Sequence, residues 1–215
     1  MTRRIVVLTA GLSQPSSTRL LADRLADAVI TQVSARGETA TVEVVELREL
    51  AHDLATTMTT GGVPTPAVEA ARELVSGADA IVAVSPVFAA SYSGLFKMFV
   101  DVLDPDAVAG TPVLVAATAG TARHQLVLDH ALRPLFAYLR AAVVPTGVFA
   151  ATDDFGGAGS GELGERISRA AGELATAVVA AGVGGLGSDP ASGRSGARVG
   201  QDVTDFEDLL AGLGQ

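Results

Sequence analysis

The sequence predicts a doubly wound α/β domain whose five parallel strands have the order 2-1-3-4-5. Five short apolar runs, helical patterns between them and a proline in the last run support this fold class. The runs lie at residues 5–10, 42–47, 80–85, 113–118 and 143–150. They are mostly Val, Ile, Leu and Ala, which is typical of parallel strands covered on both faces. Proline is disfavoured in a central strand, so Pro145 favours the edge position that this order gives to the fifth run.

Helix signals occupy the segments between the runs. Ser17 is a predicted N-cap for a helix that ends near Gly37. Thr65 and Pro66 form an N-cap and N1 pair for the next helix, and Ser93 begins a third. Two further helices are predicted over residues 122–140 and 162–181. Strands that alternate with helices in this way indicate a parallel sheet with helices on both faces.

The length of 215 residues fits one α/β domain, predicted over residues 1–181, and a tail over residues 182–215. Residues 182–200 are rich in Gly and Ser, which predicts a flexible linker. The last stretch, residues 206–213, has the pattern of a short amphipathic helix.

The formal net charge of −9 and the absence of Cys exclude several functions. A negative long-range field opposes binding to nucleic acid and to anionic membranes. Without Cys there is no disulfide, thiolate nucleophile or iron–sulfur cluster. The apolar run at residues 5–10 is too short for a signal peptide, and no stretch approaches the ~20 apolar residues of a membrane span. We therefore expect a cytoplasmic protein.

The loop after the first strand is the first candidate site. Residues 10–19 read AGLSQPSSTR and lie between a strand and the start of a helix. In doubly wound sheets ligands bind at the carboxyl ends of the strands. The hydroxyls, the guanidinium and the free N–H groups of a helix start all suit a phosphate. The same hydroxyls also fit a plain helix cap in a surface loop, so the loop alone allows both interpretations.

Two further loops are expected at the same edge of the sheet. Residues 85–97 read SPVFAASYSGLFK, and residues 118–124 read TAGTARH. They contribute small side chains, backbone amides and a few hydroxyls, and they contain no carboxylate. Such loops suit a planar, mostly apolar ring held by main-chain groups.

In order and spacing, the segments GLSQPSSTR, SPVFAASYSGLFKMFVD and TAGTARHQLVLDHALRP resemble the NAD(P)H-dependent FMN reductases, which have a flavodoxin-like fold. They look most like the reductases partnered with two-component luciferase-like or alkanesulfonate monooxygenases. The resemblance covers about residues 3–180. It implies an enzyme that transfers hydride from NADH or NADPH to FMN and supplies reduced FMN to a flavin-dependent monooxygenase. It also implies a homodimer or homotetramer.

The resemblance further implies roles for loop residues. The first loop would hold the FMN phosphate, the second would hold the isoalloxazine with backbone groups, and the third would border the other edge of the ring. The implied residues are Ser13, Ser16, Ser17, Thr18 and Arg19 in the first loop, Pro86, Val87, Phe88 and Ala89 in the second, and Thr118, Ala119, Gly120 and Thr121 in the third. Because the flavin itself carries the hydride chemistry, no catalytic side chain is assigned. No metal ligand is assigned either.

One position breaks the regularity of the predicted helix over residues 122–140. Pro134 has no N–H for the carbonyl of His130, so the helix must kink or bulge there. In the monooxygenase-partnered reductases that the chain resembles, the position that matches His130 is associated with a π-bulge at a subunit interface. An ordinary proline kink is the alternative.

Three other functions are compatible with a fold of this class. An NAD(P)H:quinone or azo reductase with bound FMN would use the same flavin loops, and the sequence leaves it open. A phospho-acceptor signalling domain needs clustered Asp residues after strands one and three, where this chain has Ala10-Gly11 and Ser85-Pro86. A flavodoxin-like electron carrier usually holds the ring between aromatic side chains, which are scarce here.

Overall fold

The computed structural model describes residues 1–156 and 159–184. It confirms the doubly wound parallel sheet and the predicted strand order. The strands are β1 (Thr2–Thr9), β2 (Thr39–Glu46), β3 (Ala80–Phe88), β4 (Ser91–Tyr92), β5 (Pro112–Ala119), β6 (Ala142–Val143) and β7 (Val148–Ala151). Strands β2, β1, β3 and β5 lie side by side in that order, and both β6 and β7 pair in parallel with β5. Together β6 and β7 occupy the edge position that was predicted for one continuous fifth strand.

The edge strand is interrupted at residues 144–147, around Pro145. Arg133 donates to the carbonyl of Val144 at 2.9 Å and also to the carbonyl of Pro145. The carboxylate of Glu173 accepts the N–H and the hydroxyl of Thr146, each at 2.7 Å. These side chains satisfy backbone groups that a continuous ladder would otherwise have paired.

Six α-helices are described: α1 (Ser17–Ser34), α2 (Ala51–Thr59), α3 (Pro66–Ser76), α4 (Gly94–Asp101), α5 (Arg133–Tyr138) and α6 (Ser160–Gly184). The predicted caps of α3 and α4 are confirmed, because the hydroxyls of Thr65 and Ser93 accept N–H groups of the first helical turns. The cap of α1 is Ser16 and not Ser17, since Ser17 is already helical. Helix α2 was not predicted, because four of its nine residues are weak helix formers of the Thr and Asp kind.

Two apolar layers cover the sheet, one on each face. Val6 and Leu8 of β1 pack with the cluster that includes Phe96 of α4. Ile5 and Val7 of the same strand pack with the opposite cluster, which includes residues of α1 and α6. Alternate side chains of the strand therefore pack into opposite layers, as the continuous apolar runs predicted.

The helix predicted over residues 122–140 is not regular. It consists of a 3-10 turn (Ala122–His124), a π-helical segment (Leu128–Leu132) and α5. The N–H of Arg133 donates to the carbonyl of Leu128, five residues earlier, which is the π pattern. The predicted bulge at His130 is therefore confirmed, and the alternative of an ordinary proline kink is wrong.

Helix α6 continues to Gly184, three residues into the predicted tail. The rest of the predicted linker and the predicted helix at residues 206–213 lie outside the described residues. Within the described part of the chain, no helix combines the length and apolarity that a bilayer crossing requires.

The ion pair between Arg3 of β1 and Glu38 gives a test of how pH affects stability. Hydrogen bonds from Arg3 hold the pKa of Glu38 below its ordinary value of 4.5. At pH values above this ordinary pKa, we expect the wild-type protein to melt at a higher temperature than Glu38→Gln. As the pH falls through the lowered folded-state pKa, the advantage should disappear, because the unfolded carboxylate takes up its proton first. Melting curves across the acid range measure this, with exposed Glu165→Gln as the control. A melting-temperature difference independent of pH would contradict the assignment.

Candidate active site

The three loops proposed from the sequence lie together because the strand ends are in register. Thr9 at the end of β1 pairs with Val84 of β3, and Pro86 of β3 pairs with Thr118 of β5. The N–H of Ala10 extends the β1–β3 pairing by donating to the Val84 carbonyl at 3.1 Å. The loops after β1, β3 and β5 therefore meet at one edge of the sheet.

The first loop folds closely back on itself. A Cβ built on Gly11 would lie 2.1 Å from the Oγ of Ser16, so a side chain at position 11 would disrupt the loop. Ser16 Oγ accepts the N–H of Arg19 at 3.2 Å and caps α1. Ser13 and Ser17 are exposed and Ser16 is half-buried. The exposed Ser13 and Ser17 and the start of α1 thus lie at the surface where a phosphate was predicted.

Thr18 and Thr118 connect the first loop to the third. Their hydroxyls are 2.7 Å apart, and the residues are only 2% and 4% exposed. A buried pair that satisfies itself has little capacity to bind a ligand directly. The structure thus places both hydroxyls in a buried pair that links the two loops, and the predicted contact of both residues with FMN stays a prediction.

Arg19 points to acidic neighbours. Its Nε donates to Asp23 Oδ1 at 2.7 Å, and its Nη1 donates to Glu46 Oε1. The hydrogen bond to Asp23 and the charges of both carboxylates raise the pKa of Arg19 above its ordinary value. The guanidinium that was predicted to meet the phosphate is thus already neutralised by two carboxylates.

Arg48 is a residue at this edge that sequence reasoning missed. Its Nη2 lies 3.1 Å from Glu46 Oε2. Gln14 of the first loop, with its amide oxygen turned towards Arg48, accepts from Nη1 at 3.0 Å and from Nη2 at 2.6 Å. The position of Arg48 just beyond the carboxyl end of β2 is the signal that points to it.

The second loop is a tight hairpin. Strand β4 pairs antiparallel with Val87 and Phe88 at the end of β3. The turn consists of Ala89 and Ala90, whose φ angles are 48° and 67°. This left-handed region suits Gly or Asn, so an Ala-Ala turn carries no hairpin signal in the sequence and stores backbone strain. The hairpin holds Phe88, which is 47% exposed, at the edge of the site.

The other predicted ring contacts differ in exposure. Pro86 is buried within β3, and Ala89 is exposed. In the third loop, Ala119 is half-buried, whereas Gly120 and Thr121 are exposed. These exposed residues of the second and third loops lie at the same edge of the sheet as the Thr18–Thr118 pair.

The donors at this edge fit FMN. Exposed hydroxyls and the N-terminal N–H groups of α1 suit a phosphate, and the close approach of Gly11 to Ser16 keeps the loop compact. The hairpin and the third loop offer backbone groups and apolar surface to a planar ring. Because the three loops contain no Asp or Glu, they can bind and orient ligands but supply no carboxylate for acid–base chemistry.

The fold and these loops define a flavodoxin-like nucleotide-binding protein. Residues 3–156 match the family model described as NADPH-dependent FMN reductase, and the chain belongs to this family. It is a flavin reductase that uses FMN and a reduced nicotinamide nucleotide, as the resemblance of its motifs implied.

Individual relatives agree with this assignment. An FMN reductase (NADPH) of Pseudomonas aeruginosa is 37% identical over 154 residues, which cover 71% of this chain and 78% of the relative. The NADH-dependent FMN reductase SfnE of Pseudomonas putida is 40% identical over 146 residues, covering 68% and 75%. Among solved structures, an oxidoreductase from Corynebacterium diphtheriae is 57% identical with a TM-score of 0.81, and the match covers 83% of this chain and 98% of that one.

The hydroxyl pair of Thr18 and Thr118 generates a double-mutant test. Thr18→Val and Thr118→Val should each destabilise the fold by about 1–3 kcal/mol, because each leaves one buried hydroxyl without its partner. The double variant should lose less than the sum, since both hydroxyls are then gone. Denaturant unfolding measures the free energies, and FMN titration should show weaker binding in each single variant. Thr18→Ser, which keeps a hydroxyl, is the control. Strictly additive losses would contradict the coupling.

Proposed function

We propose that this flavin reductase releases reduced FMN to a partner flavin-dependent monooxygenase. One observation carries the flavin-binding part: the loops after β1, β3 and β5 meet at one edge and offer hydroxyls and backbone amides without a carboxylate. Such a site has the groups to hold a flavin and a nicotinamide together. The resemblance of these loops to the reductases partnered with two-component monooxygenases supports the release to a partner. The hydride donor and FMN are nucleotides of the cytoplasm, which supports the expectation of a cytoplasmic enzyme.

The proposed flavin contacts follow from exposure. The hydroxyls of Ser13, Ser16 and Ser17 and the first N–H groups of α1 bind the phosphate. Backbone groups of residues 86–89 and 119–121 contact the isoalloxazine, with Thr18 and Thr118 fixing the distance between the loops. Arg19 is the remaining predicted phosphate contact, and its guanidinium forms ion pairs with Asp23 and Glu46.

The chain contributes binding and orientation to the reaction. When bound, FMN supplies N5 as the acceptor of the hydride from nicotinamide C4. The loops hold the ring so that the nicotinamide can stack at reactive distance, which replaces an encounter in solution by a fixed geometry. Phe88, the last residue of β3 before the hairpin turn, provides apolar surface against which one of the two rings packs.

The proposed function predicts FMN-dependent oxidation of a reduced nicotinamide. Purified protein with added FMN should oxidise NADH, NADPH or both, as followed by the loss of nicotinamide absorbance. Ultrafiltration should separate FMN from the protein, because a flavin that is passed on must dissociate. Absence of FMN binding in calorimetry, together with no oxidation of either nicotinamide, would refute the function. Activity with an FMN that stays bound through ultrafiltration would instead favour the quinone or azo reductase alternative.

We also propose that the enzyme assembles as a homodimer or homotetramer through the surface around the π-helical segment. Leu126 and Tyr138 lie on either side of this segment and are 58% and 81% exposed. Large apolar side chains at this exposure are suited to burial against a second copy. The association of the matching position with a subunit interface, which the resemblance implied, supports the same surface.

Tyr138→Asp tests this assembly. Light scattering of the wild type at micromolar concentration should give a multiple of 21.7 kDa. Tyr138→Asp should lower the mass, because a charge on a buried interface is costly. Val63→Asp is the matched control, since Val63 is 67% exposed in the loop before α3 and should leave the mass unchanged. A monomeric wild type would end the proposal.

A further inference from the structure

The charged groups beside the first loop form a connected set. Arg19 bonds to Asp23 and to one oxygen of Glu46. The other oxygen of Glu46 lies 3.1 Å from Arg48, and Arg48 in turn contacts Gln14 of the loop. Two guanidinium charges are thus matched by two carboxylate charges at the place where the phosphate of FMN is proposed to bind.

The position of Glu46 explains how it reaches both arginines. Glu46 is the last residue of β2 and pairs in register with Thr9, the last residue of β1. Arg19 directly follows Thr18 in the first turn of α1. The carboxylate of Glu46 on the neighbouring strand therefore contacts the first turn of the helix that follows the phosphate loop. An anion bound at that loop would interact with the charge of this carboxylate.

A phosphate gains most from charge-assisted hydrogen bonds, which are about twice as strong as neutral ones. For Arg19 or Arg48 to supply such a bond, at least part of its contact with Glu46 or Asp23 must be given up. The side chains of Arg19 and Glu46 are only 37% and 23% exposed, so water screens this competition incompletely. The carboxylates also repel the phosphate directly.

We propose that Glu46 and Asp23 compete with the FMN phosphate for Arg19, with Glu46 also competing for Arg48, and thereby set a low affinity for FMN. The phosphate is then held mainly by hydroxyls and backbone amides. Weak binding permits reduced FMN to leave, so this inference rests on the proposed function. It assigns Glu46 a role as the residue that determines flavin affinity.

Glu46→Gln is the main test. The variant keeps the size of the side chain but removes the charge that competes for both arginines. The Kd for FMN should fall by about 10-fold, because a charge-assisted bond to the phosphate becomes available. The Kd for riboflavin, which has no phosphate, should stay the same. Fluorescence titration gives both constants, and the melting temperature shows that the variant is folded.

Glu43→Gln is the matched control. Glu43 lies three residues earlier on β2 and is exposed, and strand alternation directs it to the opposite face of the sheet. The change in net charge is identical, so a general electrostatic effect would tighten FMN equally in both variants. Equal tightening in Glu43→Gln, equal tightening for riboflavin, or no change in Glu46→Gln would each overturn the inference.

Two further variants identify which arginine, Arg19 or Arg48, binds the phosphate once Glu46 is neutral. Asp23→Asn should tighten FMN binding in the same direction but less, since Asp23 forms an exposed i,i+4 pair. Arg19→Ala in the Glu46→Gln background should remove most of the gain in FMN affinity. Retention of the full gain in that double variant would show that Arg48, not Arg19, meets the phosphate.

The measurements distinguish a failure of the proposed function from a failure of the inference about Glu46. If the function itself is wrong, wild type neither binds FMN nor oxidises NADH or NADPH. If only the inference is wrong, wild type does both and Glu46→Gln keeps the wild-type Kd for FMN. Salt gives an independent readout, because FMN binding to Glu46→Gln should weaken with ionic strength more steeply than binding to wild type.

Discussion

The burial of both faces of the parallel sheet constrains everything else in this molecule. Val6 and Leu8 serve one apolar layer, and Ile5 and Val7 serve the other. A one-residue slip of β1 would move every side chain to the opposite layer. Because both layers are closely packed, the slip would disrupt the packing of both, and this fixes the register of β1 against β3. Because the register is fixed, the carboxyl ends of β1, β3 and β5 lie level with one another. The strands alone therefore place the three following loops side by side.

The site at the carboxyl ends of β1, β3 and β5 consists mainly of neutral hydrogen-bonding groups, and charged side chains lie beside it. Hydroxyls, backbone amides and a buried pair of threonines form the edge itself. The guanidinium groups of Arg19 and Arg48 are bonded to carboxylates of α1 and β2. In the proposed site, an anionic ligand would therefore meet hydroxyls and backbone amides before it meets a free guanidinium. That arrangement is consistent with the proposed release of reduced flavin.

The irregular elements of the fold are each stabilised by identifiable groups. The gap in the edge strand is satisfied by Arg133 and Glu173. The π-helical segment follows from the missing N–H of Pro134, and the Arg133 N–H closes a five-residue turn there. The Ala89-Ala90 turn stores strain at the active edge, which persists because β4 pairs with β3 on one side and α4 begins directly after it. Irregularity is thus concentrated near the site and near the proposed subunit contact.

Local chemistry determined much of this protein from the sequence alone. The apolar runs predicted the sheet, and the doubly wound fold class implied its strand order. Thr65 and Ser93 set the starts of α3 and α4, and Pro134 required the break at His130. Each of these depends on neighbouring residues or on a missing donor, which the sequence displays directly. The same loops carried the resemblance that pointed to FMN.

Only the tertiary structure decided which side chains meet. Thr18 and Thr118 are 100 residues apart in the chain, and their bond exists because β1 and β5 flank β3 in register. Arg19 was predicted beside a phosphate, but Glu46 arrives from another strand and pairs with it. Helix α2 and the Ala-Ala hairpin have weak local signals, and packing and strand pairing outweigh their intrinsic preferences. Contacts between distant residues are set by the register and packing of the whole sheet, so no local pattern in the sequence encodes them.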